Sequence, residues 1–396
     1  MNSRQKHLTR AKKGKNDEFY TQWSDIEKEV NAYIEYNPNV FRDKTILLPA
    51  DDPFESNFFK FFATKFNEYG LKKLIATSYA PSPIVNTQLS LLPELVPEQE
   101  IKHTRNKQIT EAYKIELTEI IDENGTGTIN IDDVITRLLK EKEIIDSGGT
   151  SNILSYLKGD SNPDGIENFS AGDFRSQEVV NLRDEADIII TNPPFSLFRE
   201  FLDWINPNEK QFLIIGNMNA ITYKEVFPLI KDNKIWLGTG MGRWISGFIV
   251  PDSYELYGTE ARIEKGQRIV STNNALWMTN LDHGKRHQPL SLMTMADNIK
   301  YSKHKNVKGH KYEKYDNYDA LEVPYTDSIP SDYEELMGVP ISFLDKYNPD
   351  QFQIIGASDN GAIDEQYKLP HFKKHNEPYI DGKKVYKRIF IRVVKR

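Results

Sequence analysis

Residues 187–195 read Asp-Ile-Ile-Ile-Thr-Asn-Pro-Pro-Phe, a continuous apolar run stopped by two prolines. Three consecutive isoleucines, Ile188 to Ile190, fit a strand buried on both faces of a parallel sheet, where no polar face is needed. Pro193 and Pro194 then end the strand, because neither has a backbone N–H and both hold φ at about −65°. The turn is stiff and leaves the carboxyl end of a strand, which is where open α/β sheets place ligands. The Asn192 side-chain oxygen and the Pro193 carbonyl are two acceptors aimed at one point, and Phe195 adds a flat face. Two acceptors beside an aromatic ring suit an exocyclic amino group on a planar base.

The flanking sequence supports a sheet of this kind. Thr45 to Leu48 predicts a strand, ended by Pro49-Ala50-Asp51-Asp52-Pro53. Ser56 is placed to cap a helix whose apolar face is Phe58, Phe59, Phe61, Phe62 and Phe66. Leu71 to Ala76 reads as a second strand. The pattern then weakens: Pro81, Pro83, Pro93 and Pro97 interrupt it, and 98–124 is polar and highly charged. A helix is expected over Ile131 to Ile145, ended by Ser147-Gly148-Gly149. The stretch from about 81 to 160 is expected to be an insertion or lid. Beyond it, strands at 187–191, 212–215 and 235–237 alternate with helices at 197–205 and 224–230, a pattern that argues for a parallel α/β sheet. A last strand is expected at 275–279. Past about 285 the chain is richer in Tyr, Lys and Pro, and a domain boundary is placed there. Asn208–Gly216 and Asp350–Gly356 share Gln-Phe-x-Ile-Ile-Gly, read as two strands with similar ends and not as a repeat.

With 396 residues the chain has room for two or three domains. It contains no cysteine, which excludes disulfides, thiolate metal sites and a cysteine nucleophile. Net charge is −7, yet residues 1–15, 300–314 and 371–396 carry +6, +5 and +7, leaving −25 for the rest. Local basic patches bind phosphate whatever the total. The first residues are polar and basic, with no apolar core of a signal peptide, and no apolar run approaches the roughly 18 residues of a membrane span. No membrane association is expected, and the cytoplasm is the expected location. The histidines show no metal-ligand spacing, so no metal is expected; His283-Gly284-Lys285-Arg286-His287 reads as a basic loop near phosphate.

Taken together, these segments resemble the EcoRI-type adenine-specific DNA methyltransferase family. The likeness runs through Lys15-Asn16-Asp17-Glu18-Phe19-Tyr20-Thr21, Asp25-Ile26-Glu27, Asp51-Asp52-Pro53 and Ser56-Asn57-Phe58. It continues through Gly172-Asp173-Phe174-Arg175-Ser176 and Asn192-Pro193-Pro194-Phe195. Ile329-Pro330-Ser331-Asp332-Tyr333, Met337-Gly338-Val339-Pro340 and Gly382-Lys383 follow, so most of the chain outside 81–150 is covered. The Asn-Pro-Pro-Phe form is most like enzymes that methylate the N6 amino group of adenine. Methyltransferases acting on RNA guanine or protein glutamine share Asn-Pro-Pro-aromatic, and they remain an alternative, as does a catalytically inactive DNA-binding relative. Methylation of cytosine carbon 5 through a cysteine adduct is excluded by composition.

The resemblance implies a Rossmann-like class I methyltransferase sheet with helices on both faces, plus a smaller carboxyl-terminal α+β recognition domain. Residues 1–285 would bind S-adenosyl-L-methionine and catalyse, and 286–396 would recognise the DNA target. Asn192, Pro193, Pro194 and Phe195 would be the catalytic set. Phe19, Tyr20 and Thr21 match the motif that closes over the methionine part of the cofactor. Asp51 and Asp52, with Ser56 and Asn57, fall after the first strand, where this class holds the methionine amine; the Gly-rich loop usual there is missing. Asp173 and Phe174 match the motif that hydrogen-bonds and stacks on the cofactor adenine. Ser78 stands where other members often place an acid for the ribose, so that role has no matching residue. The implied partner is double-stranded DNA with the target base flipped out, alongside a possible cognate restriction endonuclease acting separately.

Overall fold

The computed structural model describes residues 20–79, 112–241, 245–250, 256, 261–270, 274–358, 365–368 and 376–394. The chain divides into two compact units, Met1–Gly216 with Gly242–Leu281 and Asn217–Met241 with Asp282–Arg396. Residues 217–241, expected within the first domain, group instead with the second unit.

In the first unit, strands β1 (Tyr20–Thr21), β2 (Thr45–Leu48), β3 (Lys73–Thr77), β4 (Ala112–Leu117), β5 (Leu154–Leu157), β6 (Ile188–Thr191) and β7 (Gln211–Asn217) alternate with helices. The helices are α1 (Trp23–Tyr36), α2 (Asn57–Thr64), α3 (Phe66–Tyr69), α4 (Ile131–Asp146), α5 (Gln177–Glu185) and α6 (Phe198–Ile205). In the second unit α7 (Phe227–Lys231) and β8 (Trp236–Met241) follow. The first unit resumes with β9 (Phe248–Val250), β10 (Arg262–Glu264), β11 (Gln267–Val270) and β12 (Ala275–Thr279).

One large mixed sheet forms the core of the first unit, with neighbours in the order β5-β4-β3-β2-β6-β7-β12. β2 pairs in parallel with both β3 and β6, and β6 pairs in parallel with β7. All four residues of β2 and of β6 are buried, as a strand covered on both faces requires. At the start of these strands the Asp187 carboxylate accepts from the Thr45 backbone N–H at 2.8 Å, and the Asp187 N–H donates to Thr45 O at 2.9 Å, which fixes their register. The chain leaves β2 for β3 on one side and β6 for β7 on the other. The carboxyl ends of β2 and β6 therefore flank the point where strand order reverses, the crevice in which such sheets bind ligands.

The described part of the stretch expected as an insertion or lid builds sheet instead. β4 pairs antiparallel with β3, and β5 antiparallel with β4, extending one edge of the sheet. The reason is local: Ala112, Ile115 and Leu117 are buried while Tyr113 and Lys114 are half-buried, so this strand, which lies next to the edge strand β5, is less covered than β2 and needs only part of its apolar content. Helix α4 follows on a complete capping box between Asn130 and Asp133. Helix α2 starts where Ser56 was expected to cap it, its hydroxyl accepting from Phe58 N and Phe59 N. Its four phenylalanines are all buried, and Phe61 meets Trp23 of α1 edge-on at 5.2 Å. A smaller sheet, β1-β9-β11-β10, completes the unit.

The second unit continues with α8 (Met295–Tyr301), β13 (Leu321–Glu322), β14 (Met337–Pro340), β15 (Phe352–Ala357), β16 (Tyr379–Ile380), β17 (Lys383–Lys384) and β18 (Arg388–Val393). Its main sheet has the order β13-β14-β18-β15, with β18 antiparallel to both neighbours and a bulge at Ile354/Gly356. Helix α7 lies against β15, which explains why residues 217–241 belong here. A buried ion pair braces this unit. Arg388 Nη2 and Nε donate to Glu322 at 2.6 and 3.1 Å, and the Tyr315 hydroxyl donates to the same carboxylate.

Candidate functional site

The loops leaving β2 and β6 are joined by buried hydrogen bonds. Asp51 sits in the first loop, 7% exposed, and Ser56 Oγ donates to its Oδ1 at 2.8 Å. Thr191, the last residue of β6, lies with its hydroxyl 2.6 Å from Asp51 Oδ2 and 3.1 Å from Pro49 O. Asp52 is also buried; it accepts from the Tyr113 hydroxyl at 2.7 Å and from Phe54 N at 2.9 Å. Ala50 adopts a left-handed conformation, φ +58, and its N–H donates to Thr77 Oγ1 at the end of β3. Strand ends β2, β3 and β6 are thus tied together through side chains.

Burial dominates the electrostatics. It pushes the Asp51 carboxyl up to about 7, against the pull of the two hydroxyls and with a smaller upward push from Asp52. Burial also raises Asp52, while its hydrogen bonds and Lys60 draw it down. Lys60 of α2 is 2% exposed, and burial lowers its ammonium to about 8 despite Glu55 and Asp52 nearby. Two buried acids that resist ionisation form a place where an incoming cation is favoured, because it supplies charge that water cannot.

The amino-terminal strand closes one side. Tyr20 and Thr21 pair antiparallel with Ile249 and Phe248 of β9. The Tyr20 hydroxyl donates to Glu55 at 2.8 Å, and Asn57 Nδ2 donates to Thr21 O at 2.8 Å. Tyr20, Thr21, Asp51, Asp52, Ser56 and Asn57 are therefore brought together, and Phe19 lies outside the described residues.

Asp173 and Phe174 follow Gly172, which has φ +77 and approaches the Ser78 carbonyl so closely that a Cβ would stand 1.9 Å from it. This contact docks the Asp173 turn on the loop after β3. Asp173 is buried and gripped by Arg175, whose Nε and Nη2 donate to its two oxygens at 2.9 and 2.8 Å. Phe174 is buried with its ring edge-on to Phe201 at 5.1 Å and to Trp204 at 5.6 Å. Its ring thus packs in the core of the first unit.

After β6, Asn192 is half-buried and Pro193 buried, and the chain turns into a short 3-10 segment at Phe195–Leu197. The half-buried Phe195 ring meets Phe248 edge-on at 6.3 Å, so β9 supports it while β9 also holds Tyr20 and Thr21. Sequence reasoning passed over Thr191, Glu55, Lys60, Tyr113 and Arg175. Lys60 had a signal, a single charge set among phenylalanines in Phe58–Phe62. The others are defined only by the fold.

Among the described residues no group of His, Asp and Glu is arranged to hold a metal ion, and no helix is long and apolar enough to cross a membrane. The basic segment 300–314 is partly neutralised in place: Lys303 pairs with Asp327 at 2.7 Å and Lys314 with Asp319 at 3.4 Å. His304 stacks on Tyr325 at 3.7 Å beside the same Asp327. Residues 1–15, the other basic end of the chain, lie outside the described residues.

Residues 7–394 match the protein family described as adenine-specific methyltransferase EcoRI. The chain belongs to that family. It is 43% identical to the type II methyltransferase M.EcoRI of Escherichia coli, over 94% of this chain and 96% of the relative. It is 32% identical to the type II methyltransferase M.MgeORF184P of Mycoplasma genitalium and 30% identical to M.MpnI of Mycoplasma pneumoniae, each over 98% of both chains. No solved structure matches the chain.

Proposed function

We propose that this chain transfers the methyl group of S-adenosyl-L-methionine to the N6 amino group of adenine in duplex DNA. The observation that carries the reading is the junction of the Asp51 loop with the Asn192 turn at adjacent strand ends, in a chain of an adenine-specific methyltransferase family. The strand order reversing between β2 and β6 supports reading the sheet as Rossmann-like, and the second unit as a smaller α+β region that recognises the DNA target. The relatives are named type II methyltransferases, which favours a restriction–modification setting with a separate endonuclease.

The residues present fit the cofactor's amino-acid end: Asp51 and Asp52 are buried acids that an ammonium would complete, Ser56 holds the Asp51 carboxyl in place, and Asn57 ties β1 beside it through Thr21 O. Tyr20 and Thr21 close that end, and the Asp173 turn is assigned to the adenine end. When bound, the cofactor supplies an electrophilic methyl group on a sulfonium sulfur. Asn192 Oδ1 and the Pro193 carbonyl accept the two amino hydrogens of a flipped adenine, which draws the nitrogen lone pair out of the ring and toward the methyl. Extruding the base costs a few kcal/mol, and stacking on Phe195 returns about 1–3 kcal/mol. The rest of the rate comes from placement for in-line attack.

The test is Asn192→Ala with methyl-labelled S-adenosylmethionine and unmethylated DNA, followed by digestion to nucleosides. The wild type places label in N6-methyladenine, and the variant loses methyl transfer while keeping cofactor binding; retained turnover sinks the assignment. Lys305, Lys308, Lys311 and Lys383 are assigned to phosphate, so DNA affinity falls steeply between low and moderate salt. An affinity insensitive to salt would remove these residues from the DNA surface.

A further inference from the structure

Thr191 has more acceptors than it has protons. Its hydroxyl lies 2.6 Å from Asp51 Oδ2 and 3.1 Å from Pro49 O, and a hydroxyl donates one hydrogen bond. Asp51 Oδ1 is already an acceptor for Ser56 Oγ at 2.8 Å. Two proton arrangements satisfy the same positions. With Asp51 ionised, Thr191 donates to the carboxylate and the Pro49 carbonyl goes without that donor. With Asp51 protonated on Oδ2, the acid donates to the Thr191 oxygen and Thr191 donates to Pro49 O. Thr191 is 1% exposed, so the choice is made inside the protein and is sensitive to charge arriving at Asp51.

Thr191 is bonded to Asn192. We propose that Thr191 is a positioning residue that passes the charge state of Asp51 to the Asn192 turn, so that filling the amine site readies the catalytic acceptors. This rests on the reading that Asp51 receives the methionine ammonium. When an ammonium arrives, Asp51 gives its proton to water, and the Thr191 hydroxyl swings from Pro49 O to the new carboxylate. The titratable groups facing Asp51 are Asp52 on its own loop and the Tyr20 phenol from β1; Lys60 of α2 faces Asp52 and Glu55. Burial, which raises the Asp51 carboxyl, keeps both arrangements within reach at neutral pH.

The experiment compares wild type, Thr191→Val and Thr191→Ser. Binding of S-adenosylhomocysteine, which carries the same amine, is measured by calorimetry from pH 6 to 8.5, and kcat and KM for DNA are measured with S-adenosylmethionine. Wild-type affinity falls about tenfold per pH unit below the Asp51 transition. Valine removes the donor that favours the carboxylate, so the transition moves to higher pH and kcat falls about tenfold or more, with KM for DNA little changed. Serine restores both. A valine variant with wild-type pH profile and kcat, or one that loses only thermal stability, overturns the proposal. Should valine prevent folding, Thr191→Ala removes the same donor and carries the comparison, with the same outcomes overturning the relay, and the wild type tests the premise. Titration at pH 7 in two buffers of different ionisation heat gives release of about half a proton per ligand, and no release overturns it. If wild-type affinity does not change with pH, the amine reading of Asp51 fails; if it changes and valine matches wild type, only the relay fails.

Discussion

In the Glu322–Arg388 pair of the second unit, one substitution strands a buried charge. Both residues are 8% exposed. The carboxylate takes two hydrogen bonds from the guanidinium, at 2.6 and 3.1 Å, and a third from Tyr315. Arg388→Met removes the cation and leaves a buried carboxylate with the Tyr315 hydroxyl as its one remaining donor among these three. Breaking a buried pair from one side costs about 3–5 kcal/mol, because the surviving charge is stranded away from water. At roughly 2–4 °C per kcal/mol for a unit of this size, the melting transition drops by roughly 6 °C or more. The reciprocal change, Glu322→Leu, strands the guanidinium and has a similar effect. The double variant Glu322→Leu with Arg388→Met buries no charge and recovers most of the loss. Differential scanning calorimetry of all four proteins measures this. A double variant as unstable as the worse single, or single variants within about 0.5 kcal/mol of wild type, refutes the reasoning that desolvation sets the cost.

Further predictions follow from the first unit. Asp51 titrates at about 7 in the folded protein against an ordinary value of 3.8, so between these values the native state holds a proton that the unfolded state has lost. Stability of the ligand-free protein therefore falls as pH rises from 4 to 7, by roughly 4 kcal/mol in all, and levels off above. Asp51→Asn flattens that profile in urea denaturation; an unchanged slope contradicts the burial argument. Gly172→Ala places a methyl group 1.9 Å from Ser78 O at φ +77, so it costs at least about 2 kcal/mol. It weakens cofactor binding by displacing the Asp173 turn, and a variant with wild-type stability and affinity would show that the turn yields freely.

The parts of the fold legible in the sequence were those whose residues leave few options. Ile188–Thr191 and Thr45–Leu48 lack a polar face, so each had to be an inner strand, and Ser56 before a run of phenylalanines had to cap a helix. Strand β4, next to the edge of the sheet, was hidden because Ala-Tyr-Lys-Ile-Glu-Leu mixes charges with apolar residues inside a polar stretch. A strand whose side chains are only partly covered tolerates that mixture, and composition alone does not separate it from a loop. At the candidate site the residue types were legible and their couplings were not. Nothing near Thr191 in sequence points to Asp51, which is 140 residues away and reaches it through the pairing of β2 with β6. Likewise Phe174 could be seen as an aromatic after Asp173, but its edge contacts with Phe201 and Trp204 exist only in the packed unit.

Each unit is assembled from two separate stretches of chain, Met1–Gly216 with Gly242–Leu281 and Asn217–Met241 with Asp282–Arg396. No single cut releases either one whole. A fragment ending near 285 would carry α7 without the strand β15 that it packs on, and would expose apolar residues such as Phe227 and Ile230 that are buried in the intact chain. Exchanging the second unit between relatives therefore means transplanting two segments together. A chimera spliced once at the apparent border would join halves that each lack a piece of themselves.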